Sequence, residues 1–277
     1  RNTVTASNTD ETFICALLGA PARRRRAMVP ERSRAGKRGA LVGAIRSCHR
    51  GAPMSTSRPR FDRVSAILFD FDGTLVDASE AIWSAFETIL RRHGESIPDP
   101  SWMRRRIGRP LSQIFVEAMG PMDESTIDAL TTDYRTVFFQ HAGSVRLLPG
   151  AAETVRHFAA HHIPLAIATS RTAAGARLLL DALGLHGFGA IVGIDDIEHP
   201  KPDPEPLHRA LQLLGVSSSA SALMVGDTPD DVLAARRGGL GAIAVASGGH
   251  DRADLLACGP DAVLDRLDEL IDLVAAD

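Results

Sequence analysis

Two aspartates stand two residues apart in the segment Asp70-Phe71-Asp72-Gly73-Thr74, directly after an apolar run at residues 64–69. The run predicts a buried strand, and residues i and i+2 of an extended chain point to the same face. The two carboxylates would therefore lie side by side, with Phe71 turned into the core. Like charges repel and their burial is costly, so a divalent cation between them would stabilise the pair. Taken alone, the pair is also compatible with a strand end whose acids are solvated.

Two more clusters could serve an anionic ligand. The hydroxyls of Thr169 and Ser170 follow a second apolar run, where they and the free N–H groups of a helix start can donate to an anion. Thr-Ser after a strand is equally typical of a helix N-cap. Lys201 lies between two prolines, which stiffen its backbone. Its ammonium could offset the charge of clustered carboxylates and a phosphate, although such a lysine is also typical of a surface loop.

A fourth cluster, at residues 226–231, follows another apolar run. Thr228 suits an N-cap, Pro229 the first helical position and Asp231 the third, so a helix should begin here. This helix start accounts for Thr228, Pro229 and part of the pair Asp230-Asp231. It leaves Asp227 as a strand-end carboxylate without a structural reason.

Apolar runs alternate with helical patterns from residue 61 onward, which predicts an α/β fold with a parallel sheet buried on both faces. Ligands of such sheets bind beyond the carboxyl ends of the strands, where most of these polar signals fall. The predicted strands are residues 64–69, 164–169, 190–194, 222–226, 242–246 and 262–264. The predicted helices between them are residues 151–161, 173–183, 204–214, 230–237 and 267–275.

Residues 79–147 interrupt this alternation. They show helical patterns at residues 80–92, 111–119 and 123–141 and no convincing strand. Their place between the first and second strands predicts a helical cap domain over the strand ends. The core domain would then consist of residues 61–78 and 148–277. A long insertion without a role in the site is the alternative.

The first 60 residues differ from the rest in composition. They hold 13 Lys+Arg and 3 Asp+Glu, a net charge of +10, against 18 and 31, a net charge of −13, in the remainder. We predict that residues 1–60 are a basic extension, disordered or not native to the protein, with Met54 as the functional start. A nucleic-acid-binding arm and an organelle-targeting peptide are the alternatives.

Composition also limits the partners and the compartment. The acidic remainder argues against general nucleic-acid binding and would need cations to hold an anionic substrate. No apolar run approaches the roughly 20 residues that span a bilayer, so no membrane association is predicted. Three cysteines, Cys15, Cys48 and Cys258, form no disulfide framework, which fits a reducing, cytoplasmic setting.

Together the four clusters resemble the motifs of the haloacid dehalogenase-like hydrolase superfamily. The segment that starts at Asp70 looks like its first motif, Thr169 its second, Lys201 its third, and Asp227 with Asp231 its fourth, in the family's order and spacing. The resemblance covers residues 61–277 and implies a Rossmann-like core with an inserted α-helical cap. The helical insertion and residues 147–150 resemble the phosphoglycolate phosphatase-like branch.

The resemblance implies a Mg²⁺-dependent phosphatase that works through an aspartyl-phosphate. Asp70 would be the nucleophile, which divides hydrolysis into two steps. Asp72 would protonate the leaving alcohol and then activate water, and desolvation beneath a closed lid could keep it protonated for the first task. Thr169, Ser170 and Lys201 would bind the phosphoryl oxygens.

The metal site implied by the resemblance consists of oxygen ligands, which suit Mg²⁺. They would be a carboxylate oxygen of Asp70, the backbone carbonyl of Asp72 and the carboxylate of Asp227. Asp231 would support the metal shell or Lys201.

Within the family, the first motif favours a phosphatase that acts on a small phosphorylated metabolite. Dehalogenase and phosphonatase members lack the second acid of this motif, which is present here as Asp72. Thr74 favours a phosphatase over a sugar phosphomutase, which more often carries Val there, and the phosphomutase remains the alternative. A non-catalytic regulatory protein is less favoured. Such proteins usually lose one of the acids or the lysine, and all of these residues are present here.

The cap would select the substrate. Arg109, with three more arginines at residues 104–106, could place a guanidinium over a second anionic group of the substrate. A phosphorylated carboxylate such as phosphoglycolate would suit it, and a sugar phosphate is the other candidate. A solvated basic face of a cap helix would show the same pattern.

Overall fold

The computed structural model describes residues 61–275. The predicted basic extension at residues 1–60, with the proposed start at Met54, lies outside the described residues. None of the described helices has both the length and the hydrophobicity needed to cross a bilayer.

A six-stranded parallel sheet forms the centre of the described chain, with the strand order β5-β4-β1-β6-β7-β8. Its strands are β1 (Ala66–Phe69), β4 (Leu165–Ala168), β5 (Ala190–Val192), β6 (Ala222–Gly226), β7 (Gly241–Val245) and β8 (Ala262–Leu264). Two short segments, β2 (Val76–Asp77) and β3 (Arg146–Leu147), form a separate antiparallel pair. The predicted α/β fold with a Rossmann-like parallel sheet is confirmed.

Helices follow the strands and fill the insertion. Those of the insertion are α1 (Ser79–Arg92), α2 (Pro100–Arg104), α3 (Leu111–Met119) and α4 (Glu124–Gln140). Those around the sheet are α5 (Ala151–Ala160), α6 (Ala173–Leu183), α7 (Glu205–Leu214), α8 (Pro229–Gly238), α9 (Arg252–Ala257) and α10 (Glu269–Leu273).

The sheet is covered on both faces, as its apolar strands require. All four residues of β1 are buried, and they alternate between two apolar cores. Ile67 and Phe69 lie in the core that includes residues of α5 and α6, whereas Ala66 and Leu68 lie in the core that includes residues of α7 and α8. Successive side chains of a strand point to opposite faces, so each face has its own core.

The inserted helices pack around an aromatic group of their own. Phe86 of α1 is fully buried and stacks between Trp102 of α2 and Phe115 of α3, with ring centroids 5.9 and 5.4 Å away. Tyr134 of α4 meets Phe115 edge-on at 6.1 Å. These helices occupy the place predicted for a cap, between β2 and β3. That residues 79–147 form a domain of their own stays a prediction.

Several short elements were not predicted. They are α2, α9 and the β2–β3 pair, which are too short to show a hydrophobic period. A capping aspartate marks the start of each of these two helices. Asp99 accepts from the Ser101 N–H at 2.8 Å at the start of α2, and Asp251 accepts from the Asp254 N–H at 2.9 Å at the start of α9. Predicted boundaries also shift, since β1 begins at Ala66 and α10 spans only Glu269–Leu273. Patterns along the chain define element ends poorly.

We expect Phe86→Ala to lower the free energy of unfolding by about 3–5 kcal/mol, because it opens a cavity between two stacked rings. Chemical denaturation followed by circular dichroism measures this change. Leu213→Ala, at a helix position that is 50% exposed, is the control and should stay within about 0.5 kcal/mol of wild type. A loss of less than about 1 kcal/mol in Phe86→Ala would contradict the described packing.

Candidate active site

The predicted polar residues meet at the carboxyl ends of the central strands. Asp70 follows β1, Thr169 follows β4 and Asp227 follows β6, and these three strands are neighbours in the sheet. Lys201 comes from the loop between β5 and α7, where its peptide bond to Pro202 is cis. All four residues are buried. Parallel strands place their carboxyl ends at one edge, which is the reason that distant motifs converge.

Lys201 joins two of the carboxylates. Its Nζ donates to Asp70 Oδ1 and to Asp231 Oδ1, both at 2.6 Å, and to the backbone carbonyl of Ala168 at 3.0 Å. All three N–H bonds of the ammonium are therefore used. Burial by itself would lower the pKa of Lys201, but the charges of Asp231 and Asp70 raise it above its ordinary value. The side chain is a fixed positive charge.

Asp231 is held on both carboxylate oxygens. Oδ1 accepts from Lys201, while Oδ2 accepts from the Thr228 hydroxyl at 2.6 Å and from the Thr228 N–H at 3.1 Å. Thr228 in turn caps α8, which begins at Pro229, so the predicted helix start is confirmed. The capping box thus aims Asp231 at Lys201.

Two carboxylate oxygens of the cluster lack such partners. Among the described residues, neither Asp70 Oδ2 nor Asp227 Oδ2 has a hydrogen-bond partner, although both are buried. The carboxylates of Asp70, Asp227 and Asp231 offer oxygens within 4.8 Å of one another. Three carboxylates beside the single ammonium of Lys201 leave a net formal charge of −2. A hard divalent cation with oxygen ligands fits this donor set.

Burial and neighbouring negative charges also shift the pKa values of Asp70 and Asp227. Burial raises the pKa of Asp70 to about 7; the Lys201 charge opposes the rise, and the Asp231 charge adds to it. Burial and the neighbouring charges of Asp70 and Asp231 raise the pKa of Asp227 well above its ordinary value. Both carboxylates therefore need further positive charge to stay ionised.

Glycines make room for the Asp227 side chain. Gly73 has a φ of +90°, and a β-carbon there would overlap the Asp227 carboxylate. A β-carbon at Gly248 would overlap the same carboxylate. Thr74, from the first motif, donates to Asp227 Oδ1 at 3.0 Å and fixes its orientation. The close approach places backbone and one hydroxyl directly against the Asp227 carboxylate.

Asp72 has a cation of its own. Arg171 binds it in two parallel hydrogen bonds, Nε to Oδ2 at 2.6 Å and Nη2 to Oδ1 at 2.8 Å. Burial by itself would lower the pKa of Arg171, but the charge and hydrogen bonds of Asp72 raise it. The guanidinium also lies 4.2 Å from the ring centre of Phe138 on α4. Asp70 and Asp72 thus have separate cationic side chains as partners, Lys201 and Arg171.

Sequence reasoning missed Arg171. The local signal was an arginine directly after the hydroxyl pair Thr169-Ser170, but its partner Asp72 lies 99 residues away in the chain. The choice between a surface arginine and an ion pair depends on that distant contact.

The remaining predicted residues lie around a cavity in front of these strand ends. Thr169, Ser170 and Arg109 line it together with Asp70 and Asp72. The Ser170 hydroxyl donates to the backbone carbonyl of Gly108 at 2.5 Å, and the Thr169 hydroxyl accepts the N–H of Arg171 at 3.1 Å. The Thr169 hydroxyl hydrogen is still available to an anion.

Arg109 is paired with an acid of its own helical segment. Its Nη1 donates to Glu117 Oε2 at 2.9 Å, and Glu117 also pairs with Arg106. The Arg106 and Arg109 hydrogen bonds lower the pKa of Glu117, although its slight burial acts in the opposite direction. Arg109 therefore lies at the cavity and shares one acid with Arg106, so the three groups together carry a net formal charge of +1.

Comparison with known proteins agrees with this arrangement. The family model of the haloacid dehalogenase-like hydrolases matches residues 67–245, a range that contains Asp70, Thr169, Lys201 and Asp227. The chain belongs to this family. The predicted family membership and the prediction of an enzyme related to phosphatases are thereby confirmed.

Several members of the haloacid dehalogenase-like family are similar over most of the chain. The protein named "Probable phosphatase IndB" from Dickeya dadantii is 35% identical over 210 residues, which are 74% of this chain and 91% of that protein. Pyrophosphatase PpaX from Bacillus cereus is 33% identical over 215 residues, which are 77% of this chain and 97% of that protein.

A solved structure has the same fold. A haloacid dehalogenase-like hydrolase from Streptococcus pneumoniae is 29% identical, with a TM-score of 0.66. The similarity covers 76% of this chain and 97% of that chain.

We expect Gly248→Ala to weaken divalent-cation binding at the carboxylate cluster, because the added methyl group would displace Asp227. Mg²⁺ or Mn²⁺ should raise the melting temperature of the wild-type protein. The variant should need about 10-fold more cation for the same rise. Thermal denaturation over a range of cation concentrations measures the effect.

Gly143→Ala is the matched control, since nothing lies within 4 Å of a β-carbon placed there. It should respond to cations as wild type does. An unchanged cation response in Gly248→Ala would contradict the placement of Asp227 in a metal site.

Proposed function

We propose that this protein is a Mg²⁺-dependent phosphatase that hydrolyses a small phosphate monoester through an aspartyl-phosphate. The observation that carries the proposal is the state of the Asp70 carboxylate. One oxygen is held by Lys201 at 2.6 Å, and the other is buried without a hydrogen-bond partner among the described residues. Asp70 also lines the cavity, and a carboxylate that is oriented there is suited to nucleophilic attack.

In the first step, a carboxylate oxygen of Asp70 would form a bond to phosphorus, and the bond between phosphorus and the alcohol oxygen would break. Asp72 would give its proton to the departing oxygen. In the second step, water would attack the phosphorus of the aspartyl-phosphate and give a proton to Asp72, which releases inorganic phosphate and restores Asp70. Two carboxylates at one cavity supply both the nucleophile and the acid–base group.

The cation would be held by the Asp70 and Asp227 side chains and the Asp72 backbone carbonyl. Both side chains have a buried oxygen to offer, whereas Asp231 uses its oxygens on Lys201 and Thr228. We therefore assign Asp231 a supporting place around the metal. Mg²⁺ would supply positive charge against the phosphoryl oxygens.

The Thr169 hydroxyl would donate to a phosphoryl oxygen. Ser170 would do so only by leaving the Gly108 carbonyl, and Lys201 only by giving up one of its three acceptors. Lys201 would share its charge between Asp70 and the phosphoryl oxygens. Arg109 would reach the outer part of the substrate only if the contact with Glu117 yields.

Arg171 would be a positioning residue for Asp72. The two parallel hydrogen bonds fix the orientation of the carboxylate, which has to accept a proton from water in the second step. Donation to the leaving alcohol requires the carboxylate to gain a proton and turn from Arg171. The ion pair would thus serve the second half of the reaction more than the first.

The central test is Asp70→Asn, which removes the nucleophile and keeps the shape of the side chain. We expect kcat for release of inorganic phosphate from p-nitrophenyl phosphate with Mg²⁺ to fall by about 10³-fold or more. EDTA should abolish the activity of the wild-type protein, and Mg²⁺ should restore it.

Asp133→Asn, at an exposed position on α4, is the matched control and should keep wild-type activity. Full turnover by Asp70→Asn would refute the nucleophile, and indifference to EDTA would refute the metal. If a sugar phosphate is isomerised and no inorganic phosphate appears, the protein is the alternative, a phosphomutase.

Arg171→Met should lower kcat by about 10²-fold with a smaller change in KM, because Asp72 would lose its orientation. Steady-state kinetics on the same ester separates the two parameters. Arg171→Lys keeps the charge without the bidentate geometry and should retain more activity. Arg177→Met, at an exposed position on α6, is the control, and equal kinetics for Arg171→Met and Arg177→Met would rule out the positioning role.

A further inference from the structure

The cavity in front of Asp70 has two chemically different ends. The end at the sheet is formed by acids and hydroxyls of the proposed phosphoryl site. Apolar side chains of the inserted helices and their connecting loop form much of the opposite end: Ile107, Leu111, Ile114, Tyr134, Phe138 and Phe139.

The aromatic members of this wall belong to one helix. Tyr134, Phe138 and Phe139 lie on α4, and the first two rings stack with their centroids 6.3 Å apart. Burial raises the pKa of Tyr134, the Asp72 charge adds to the rise, and the Arg171 charge opposes it. The phenol is therefore neutral, and the wall carries aromatic surface without charge.

The polar side chains beside this wall are mostly engaged. Arg171 is bound to Asp72 and Arg109 to Glu117. The Ser170 hydroxyl donates to the Gly108 carbonyl, and the Thr172 hydroxyl accepts the Gly175 N–H at 3.2 Å. Arg135 is a further arginine at the cavity, and within residues 61–275 no ion pair involves it.

We propose that the alcohol part of the substrate is uncharged and largely apolar, with an aromatic ring, as in an arylalkyl phosphate. The inference rests on the proposed phosphatase function and names its substrate class. A ring would pack against Phe139 and Leu111, two half-buried apolar residues of the cavity, once the phosphate lies at Asp70. Sugar hydroxyls or a carboxylate in the same place would lose their hydration against apolar side chains, which costs free energy. This differs from the phosphoglycolate-like or sugar phosphate substrate expected from the sequence.

The experiment compares kcat/KM for four esters of primary alcohols: 2-phenylethyl phosphate, ethyl phosphate, phosphoglycolate and glucose 6-phosphate, each with Mg²⁺. Because all four leaving groups are primary alkoxides, differences report mainly on the cavity. We expect 2-phenylethyl phosphate to exceed ethyl phosphate by about 100-fold. It should also exceed phosphoglycolate and glucose 6-phosphate.

Two variants test whether the apolar wall of the cavity causes the preference for 2-phenylethyl phosphate. Phe139→Ser and Leu111→Ser, at half-buried cavity positions, should each lower the kcat/KM ratio of 2-phenylethyl phosphate to ethyl phosphate by about 10-fold. Leu213→Ser, an equally apolar residue that is 50% exposed on α7, should leave the ratio unchanged. Circular dichroism and melting temperatures identify any variant that does not fold, and the two cavity variants are independent of each other.

The outcomes separate the inference from the function on which it rests. Hydrolysis of all four esters at similar kcat/KM, or a preference for phosphoglycolate or glucose 6-phosphate, overturns the substrate class and leaves the phosphatase function in place. A preference for 2-phenylethyl phosphate that both cavity variants retain also overturns it. If neither these esters nor p-nitrophenyl phosphate is hydrolysed, the proposed function fails, and the inference fails with it.

Discussion

The buried ammonium of Lys201 links groups at the carboxyl ends of three strands. Lys201 binds Asp70 after β1, the carbonyl of Ala168 at the end of β4, and Asp231 on the helix that follows β6. Its three hydrogen bonds thus connect three neighbouring strands. Loss of a partner from a buried ion pair leaves an uncompensated charge, which is strongly destabilising. The orientation of Asp70 therefore depends on a lysine that is distant in sequence.

The charge that Lys201 does not balance shapes the rest of the site. Asp70 and Asp227 are buried with one oxygen each that lacks a hydrogen-bond partner among the described residues. Such a pair is unfavourable in a low-dielectric interior without further positive charge. Gly73 and Gly248 leave the space that Asp227 occupies, because a β-carbon at either position would overlap its carboxylate. The steric fit of Asp227 thus requires glycine at both positions.

Arg171 connects this chemistry to the inserted helices. It binds Asp72 through two hydrogen bonds and lies against Phe138 of α4. A second connection is the hydrogen bond from Ser170 to the Gly108 carbonyl. A displacement of α4 would change the surroundings of Arg171 and thereby the position of Asp72. The position of the proposed acid–base group therefore depends on how the insertion packs.

The sequence by itself determined the parallel α/β fold and the capped start of α8, and it singled out Asp70, Lys201 and Asp227 as candidate site residues. Strand periodicity, capping and each local motif involve residues close in the chain. The sequence did not determine the short elements, which lack a period. Only the tertiary structure decided that Asp72 pairs with Arg171, 99 residues away. It also decided that an aromatic face of α4 lines the cavity. Both depend on how distant helices and strands meet, which no local pattern records.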